Sequence, residues 1–110
     1  EVAWQEMKSA MALMHDACKE KDIPFCVVIY PYSSQVATES SERVPQNDLL
    51  EFWASKGVPA IDVTDLYKNQ DQEMFVGASH LHLSPYGHKV VSAAISDLIL
   101  NNFDLLIEKP

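Results

Sequence analysis

The continuous apolar run at residues 25–30 limits the possible folds of this chain more than any other feature. All six side chains are aliphatic, aromatic or thiol-bearing, and prolines stand on both sides of the run. Apolar and polar residues do not alternate within it, which is typical of a strand buried on both faces of a parallel sheet. We therefore expect an α/β protein.

The segment before this run has the spacing of an amphipathic helix. Apolar residues recur every three or four positions and predict a helix over about residues 2–20. The expected core-facing positions of this helix are Trp4, Met7, Met11, Met14 and Cys18. His15 falls among its polar positions and is expected to be solvated. Cys18 and Cys26 are interpreted as buried free thiols rather than as a disulfide.

Helical and strand-like segments alternate along the rest of the chain. A polar stretch through Arg43 is expected to be a loop, and Pro45 begins a second helix that ends at Gly57. A short strand follows at residues 60–63, then one helical turn at residues 65–67. The last helix is expected from residue 85 to about residue 100, with an apolar stripe on one face.

This order of elements predicts the fold class and leaves one structural problem. Alternating helices and strands are typical of an α/β layered fold with parallel strands, here within a single domain of residues 1–110. Two strands are too few for a stable open sheet. We therefore expect upstream residues, another fragment or a second copy to complete the sheet. The chain also opens on Glu1 with an immediate helix, so we expect it to be part of a longer protein.

The charge and hydropathy of the chain argue against two classes of partner. The formal net charge is −8, and the eight lysines and arginines are scattered, whereas nucleic-acid binding depends on clustered basic residues. No apolar run approaches the length of a membrane span. We expect neither a nucleic-acid partner nor a membrane segment in this chain, and no cofactor.

Residues 79–88, which read SHLHLSPYGH, contain the best candidate for chemistry. Ser84 is a good N-cap and Pro85 suits the first position of a helix. His82 therefore lies in a short loop that is held by a helix packed on the core. Such a position suits a catalytic base, because imidazole exchanges protons near neutral pH.

The sequence HLSPYGHKVVSAAI resembles the last sequence block of the SGNH (GDSL-type) hydrolases. That block usually reads Asp-x-x-His or Asp-x-His, followed by a short turn, Gly-His and an apolar helix. The resemblance implies that His82 is the catalytic histidine, that Gly87 allows close packing, and that His88 lies outside the chemistry. The orienting acid of the Asp-x-x-His form falls on Ser79, and that of the Asp-x-His form falls on His80. Neither residue is a carboxylate.

The resemblance also implies a fold and an activity. It implies a three-layer α/β/α domain with a flavodoxin-like parallel sheet, of which this chain is the C-terminal part. Tyr32 and Gln35, in the string PYSSQV, would help to shape the substrate pocket. The nucleophilic serine and the oxyanion-hole residues would lie upstream of Glu1. The implied function is a serine ester hydrolase, esterase- or deacetylase-like, acting on acyl esters of small molecules, carbohydrates or lipids.

The absent acid leaves several interpretations of the site open. The protein could be a slow esterase, a Ser–His dyad supported by a backbone carbonyl, or a non-catalytic relic of the fold that serves as a binding or interaction domain. A displaced carboxylate, Asp71 or Glu73, could replace the acid. Neutralising the orienting acid in serine proteases costs about 10⁴ in kcat.

Three further groups of polar residues have simpler interpretations. A metal site built from His80, His82 and His88 is disfavoured, because no cysteine or carboxylate stands at ligand spacing. Ser33 and Ser34 lack the Gly-x-Ser-x-Gly context of a nucleophile and are expected to form loop hydrogen bonds. Asp62 and Asp65 are expected to cap the short turn after the second strand rather than to act as catalytic acids.

Overall fold

Four helices and two short parallel strands make up the described part of the chain, which is residues 1–37, 42–79 and 81–104 of this computed structural model. In chain order the elements are helix α1 (Val2–Glu20), strand β1 (Val27–Ile29), helix α2 (Ser33–Ala37), helix α3 (Val44–Ser55), strand β2 (Ala60–Asp62), a 3-10 turn (Thr64–Tyr67) and helix α4 (Pro85–Asn102).

The two predicted strands pair in parallel, as the sequence indicates. The middle residues of the strands, Val28 and Ile61, are register partners. Backbone bonds extend the pairing at both ends, from Val27 N to the Pro59 carbonyl (2.9 Å) and from Val63 N to the Ile29 carbonyl (3.0 Å). Within the described residues the sheet has these two strands and no more. This confirms a mixed α/β arrangement with a small parallel sheet.

The main core lies between the sheet, the 3-10 turn and α4. Its buried members are Val63, Tyr67, Met74 and Val91, and Val28 and Ile61 of the two strands pack against them. Tyr67 is 5% exposed, and this burial raises the pKa of its phenol to about 12. Through Val91, the apolar stripe predicted for α4 packs against the sheet. The helix ends at Asn102, two residues beyond the predicted end.

A second, aromatic cluster joins α1, α3 and the segment before β1. Trp53 of α3 is 1% exposed, and its ring centroid lies 5.0 Å from that of Phe52 and 5.5 Å from that of Phe25. The His15 ring packs edge-on against Trp53 at 6.1 Å and against Phe25 at 5.4 Å. His15 is thus half-buried among aromatic rings, and the prediction that it is solvated is wrong.

The packed face of α1 is rotated from the predicted one. The bounds of the helix are as predicted, but Met7 and Met14 are 38% and 62% exposed, whereas the side chains of Lys8 and His15 are each 13% exposed. Polar contacts explain the rotation, because Lys8 and the Trp4 indole both donate to a carboxylate oxygen of Asp48 on α3. No residue of α1 is fully buried.

Other expectations are met in part. Part of the stretch expected to be a loop, beginning at Ser33, forms helix α2 instead. Its remainder at residues 38–41 lies outside the described residues, as does the tail from residue 105. Cys18 and Cys26 are free, as predicted, but half-buried. None of the helices in the described ranges combines the length and the apolar content that a membrane span requires.

Candidate functional site

The segment that carries His82 is fixed by an antiparallel pairing with the preceding segment. Phe75 and Leu83 form an isolated β-bridge. Beside it, Val76 N donates to the His82 carbonyl (2.9 Å) and Ser84 N donates to the Met74 carbonyl (2.8 Å). Leu83 and Phe75 pack on the core, so the backbone of His82 is anchored on both sides.

Ser84 joins this pairing to helix α4. Its hydroxyl accepts from Gly87 N at 3.0 Å, which is the predicted N-cap, and it also donates to the Glu73 carbonyl. Pro85 occupies the first helical position as expected. The Ser84 hydroxyl therefore caps the first turn of α4 and also bonds the segment that pairs with the His82 segment. It links the two elements that hold the His82 backbone in place.

Gly87 stands where the helix comes closest to the paired segment. The residue is buried, and a Cβ placed on it would overlap the Met74 carbonyl oxygen and lie 3.0 Å from Leu83 Cδ2. Any larger residue would push the helix away from the strand that carries His82. The expected close packing at this glycine is confirmed.

The ring of His82 is exposed, and within the part of the chain that the structure describes one polar group lies beside it. Ser79 Oγ lies 3.0 Å from His82 Nδ1. In the Asp-x-x-His form of the family block, the orienting acid would stand at Ser79. Among the described residues, neither Asp71 nor Glu73 forms a hydrogen bond or an ion pair with this ring. His80 lies outside the described residues.

The two residues predicted to shape a substrate pocket differ in their surroundings. Tyr32 follows β1 and is 60% exposed. The Gln35 amide exchanges two hydrogen bonds with the buried Gln46 amide, at 2.8 and 3.1 Å, and accepts from Tyr32 N at 2.9 Å. Within the described ranges neither side chain is hydrogen-bonded to His82, so their role in a pocket stays a prediction. Eleven residues separate Gln35 from Gln46, so no local pattern in the sequence indicated this pairing.

A charged cluster lies at the carboxyl end of β2. Asp62 accepts from Thr64 N at 3.0 Å and from the Thr64 hydroxyl, which confirms the predicted cap for this acid. Both terminal nitrogens of Arg43 donate hydrogen bonds to the Asp65 carboxylate, and Arg43 Nη1 lies 3.8 Å from Asp62 Oδ2. This hydrogen bonding lowers the pKa of Asp65 and raises that of Arg43. Asp65 thus binds Arg43, a pairing that the sequence analysis missed.

No group of three or more side chains suited to a metal ion occurs within residues 1–37, 42–79 and 81–104. The disfavoured metal site of His80, His82 and His88 includes one residue outside these ranges. No family model matches the chain, and searches of curated proteins and of solved structures found no similar protein. The residues of this chain and their geometry are therefore the basis for inferring its function.

Proposed function

We propose that this chain is the C-terminal part of a serine ester hydrolase, in which His82 is the general base. The observation that carries the proposal is the anchoring of an exposed histidine between a β-bridge and a capped helix, with a polar group 3.0 Å from its Nδ1. Catalytic bases need such a fixed position, because the proton that they transfer must lie within hydrogen-bonding reach.

The proposed reaction is acyl transfer through a covalent intermediate. The hydroxyl of a serine outside this chain attacks the ester carbonyl while His82 takes its proton. His82 then returns the proton to the leaving alkoxide, and water hydrolyses the acyl-enzyme by the same route. Oxyanion donors, also outside this chain, stabilise the charge that develops on the carbonyl oxygen. Substrates would be acyl esters of small molecules, carbohydrates or lipids.

The proposed parent domain has three layers around a longer, flavodoxin-like parallel sheet. Two features support it: β1 has a single partner strand in the described residues, and α1 leaves apolar side chains exposed. The exposed apolar residues of α1 are Val2, Met7, Leu13 and Met14. A sheet of two short strands gains little stability alone. We propose that upstream strands pair with β1; a second copy doing so would appear as a dimer in light scattering.

The test uses the longer protein, in which upstream residues supply a Gly-Asp-Ser-type block. We expect hydrolysis of p-nitrophenyl acetate, and we expect His82→Ala to lower kcat/KM by about 100-fold or more. His88→Ala is the matched control, since His88 is an exposed histidine six residues away on α4. The 110 residues alone should show no turnover above their own His82→Ala variant. Equal activity of the two histidine variants would contradict the proposal.

The alternative is a non-catalytic domain that binds a partner or ligand. The hydroxyl of Ser79, in place of a carboxylate, favours this alternative, because the orienting acid supplies much of the catalytic power in serine hydrolases. The two functions differ in one simple observation. A serine-directed fluorophosphonate probe should label the longer protein if it is an enzyme and leave it unlabelled if it is not.

A further inference from the structure

Three polar atoms of the described residues lie within hydrogen-bonding distance of the Ser79 hydroxyl. Its Oγ lies 3.0 Å from His82 N, 3.3 Å from Leu81 N and 3.0 Å from His82 Nδ1. The backbone of Ser79 is itself fixed, because Ser79 N donates to the Val76 carbonyl at 2.9 Å. This turn therefore holds the hydroxyl at a constant place relative to the ring.

The donors and acceptors around this oxygen determine the direction of each bond. A serine hydroxyl has one proton and two lone pairs, and a backbone N–H can only donate. The amides of Leu81 and His82 therefore occupy both lone pairs of Ser79 Oγ. The hydroxyl proton remains, and Nδ1 of His82 is the acceptor in line to receive it. A neutral imidazole that accepts at Nδ1 carries its own proton on Nε2.

We infer that Ser79 is a positioning residue that holds neutral His82 in the Nε2-protonated tautomer. As folded, the exposed edge of the ring offers an N–H donor, which suits a carbonyl or carboxylate oxygen. The consequence for catalysis rests on the proposed function. A base acting through Nε2 needs the other tautomer, in which Nδ1–H donates to Ser79 Oγ.

The change of tautomer has a definite cost in hydrogen bonds. The proton leaves Nε2 to solvent, a proton returns to Nδ1, and Ser79 must then accept where it donated. Both lone pairs are occupied, so one amide must be released, and the longer bond, from Leu81 N, is the weaker. A carboxylate at this position would have about four acceptor sites and would accept all three donors.

The experiment measures the tautomer directly in the ¹⁵N-labelled 110-residue chain, at a pH where the rings are neutral. Long-range ¹H–¹⁵N spectra distinguish protonated from bare ring nitrogens. Wild-type His82 should be protonated on Nε2, and Ser79→Asp should shift the tautomer ratio towards Nδ1–H by roughly tenfold, the worth of about one hydrogen bond. Ser79→Thr keeps the hydroxyl and should leave the ratio unchanged.

His88 is the internal reference, because it is exposed on α4 and is observed in the same spectra. Its ratio should be the same in all variants, and Ser79→Ala should bring His82 to the same ratio as His88. A wild-type His82 protonated mainly on Nδ1, or a ratio that Ser79→Asp leaves unchanged, would overturn the inference. If Ser79→Asp does not fold, the wild-type ratio compared with Ser79→Ala and Ser79→Thr decides the question.

This measurement is independent of any ester. If the longer protein proves inactive while His82 has the assigned tautomer, the proposed function fails and the inference holds. If the protein is active, Ser79→Asp should raise kcat/KM by roughly tenfold, in parallel with the tautomer ratio, and Ser79→Thr should not. If the protein is active but His82 lacks the assigned tautomer, the proposed function holds and the inference fails.

Discussion

Replacing Gly87 with alanine should destabilise the protein, although the same change stabilises most helices. In a solvent-exposed helix, Gly→Ala gains about 1 kcal/mol. At this position the added Cβ would overlap the Met74 carbonyl oxygen, and it would lie 3.2 Å from the Met74 carbonyl carbon and 3.0 Å from Leu83 Cδ2. Two of the three atoms belong to backbone that cannot rotate away.

The net effect follows from three contributions. Overpacking of this kind costs about 2 kcal/mol. Moving the Met74 carbonyl also weakens the hydrogen bond that it accepts from Ser84 N at 2.8 Å, a further cost of about 1 kcal/mol. After subtraction of the helix-propensity gain, Gly87→Ala should lower the free energy of unfolding by about 2 kcal/mol. The expected fall in Tm is roughly 8 °C for a chain of this size.

Thermal unfolding followed by circular dichroism tests this magnitude. Ser96→Ala is the matched control, because Ser96 is exposed on the same helix and the change alters helix propensity alone. The control should stay within about 0.5 kcal/mol of the wild type. In Gly87→Ala the amide of Val76, which donates to the His82 carbonyl, should also exchange faster with solvent. A Gly87→Ala protein that melts at or above the wild-type temperature would refute the reasoning.

Three further predictions use the same melts. Ser84→Ala should lower the free energy of unfolding by about 1–2 kcal/mol through loss of the N-cap. Ser84→Asp should restore the cap but not the bond to the Glu73 carbonyl. Equal stability of the wild type and both variants would contradict this prediction. Gln46→Leu should cost about 1–3 kcal/mol because it removes both hydrogen bonds between the Gln35 and Gln46 amides. The double variant Gln35→Leu/Gln46→Leu should cost less than the sum of the single changes. Hydrogen bonds from the Trp4 and Lys8 side chains of α1 lower the pKa of Asp48. The contribution of Asp48 to stability is therefore present above the ordinary carboxyl pKa of about 4 and is lost as the pH falls through the lower folded value. The Tm difference between wild type and Asp48→Asn should shrink steadily as the pH is lowered below about 4.

Local signals in the sequence predicted most of the secondary structure. The apolar run before Pro31, the Ser84–Pro85 pair and the residues around Gly57 each determine their element through steric and capping preferences that act over a few residues. Those preferences predicted two parallel strands, the bounds of α1 and the start of α4. They missed α2, whose start is stabilised by the Gln35 side chain accepting from Tyr32 N, a contact typical of a capping box.

For the candidate site, the sequence indicated which histidine the capped helix holds and which residue stands in the place of the acid. It did not indicate the contact itself. The 3.0 Å approach of the Ser79 hydroxyl to His82 Nδ1 depends on a turn closed by Val76, and Val76 is held in place by its pairing with the strand of His82. Such geometry is set by a pairing between segments, which no short stretch of sequence encodes alone.

The sequence by itself determined where α1 and α4 begin, because periodicity and capping are properties of neighbouring residues. The tertiary structure alone decided which face of α1 is packed. The apolar periodicity favoured Met7 and Met14, but Lys8 and His15 face α3 instead. On α3, Asp48 accepts a hydrogen bond from Lys8, and the Trp53 ring packs against His15. A polar side chain lies inside a protein when a partner satisfies it, and that partner is forty residues away in the chain.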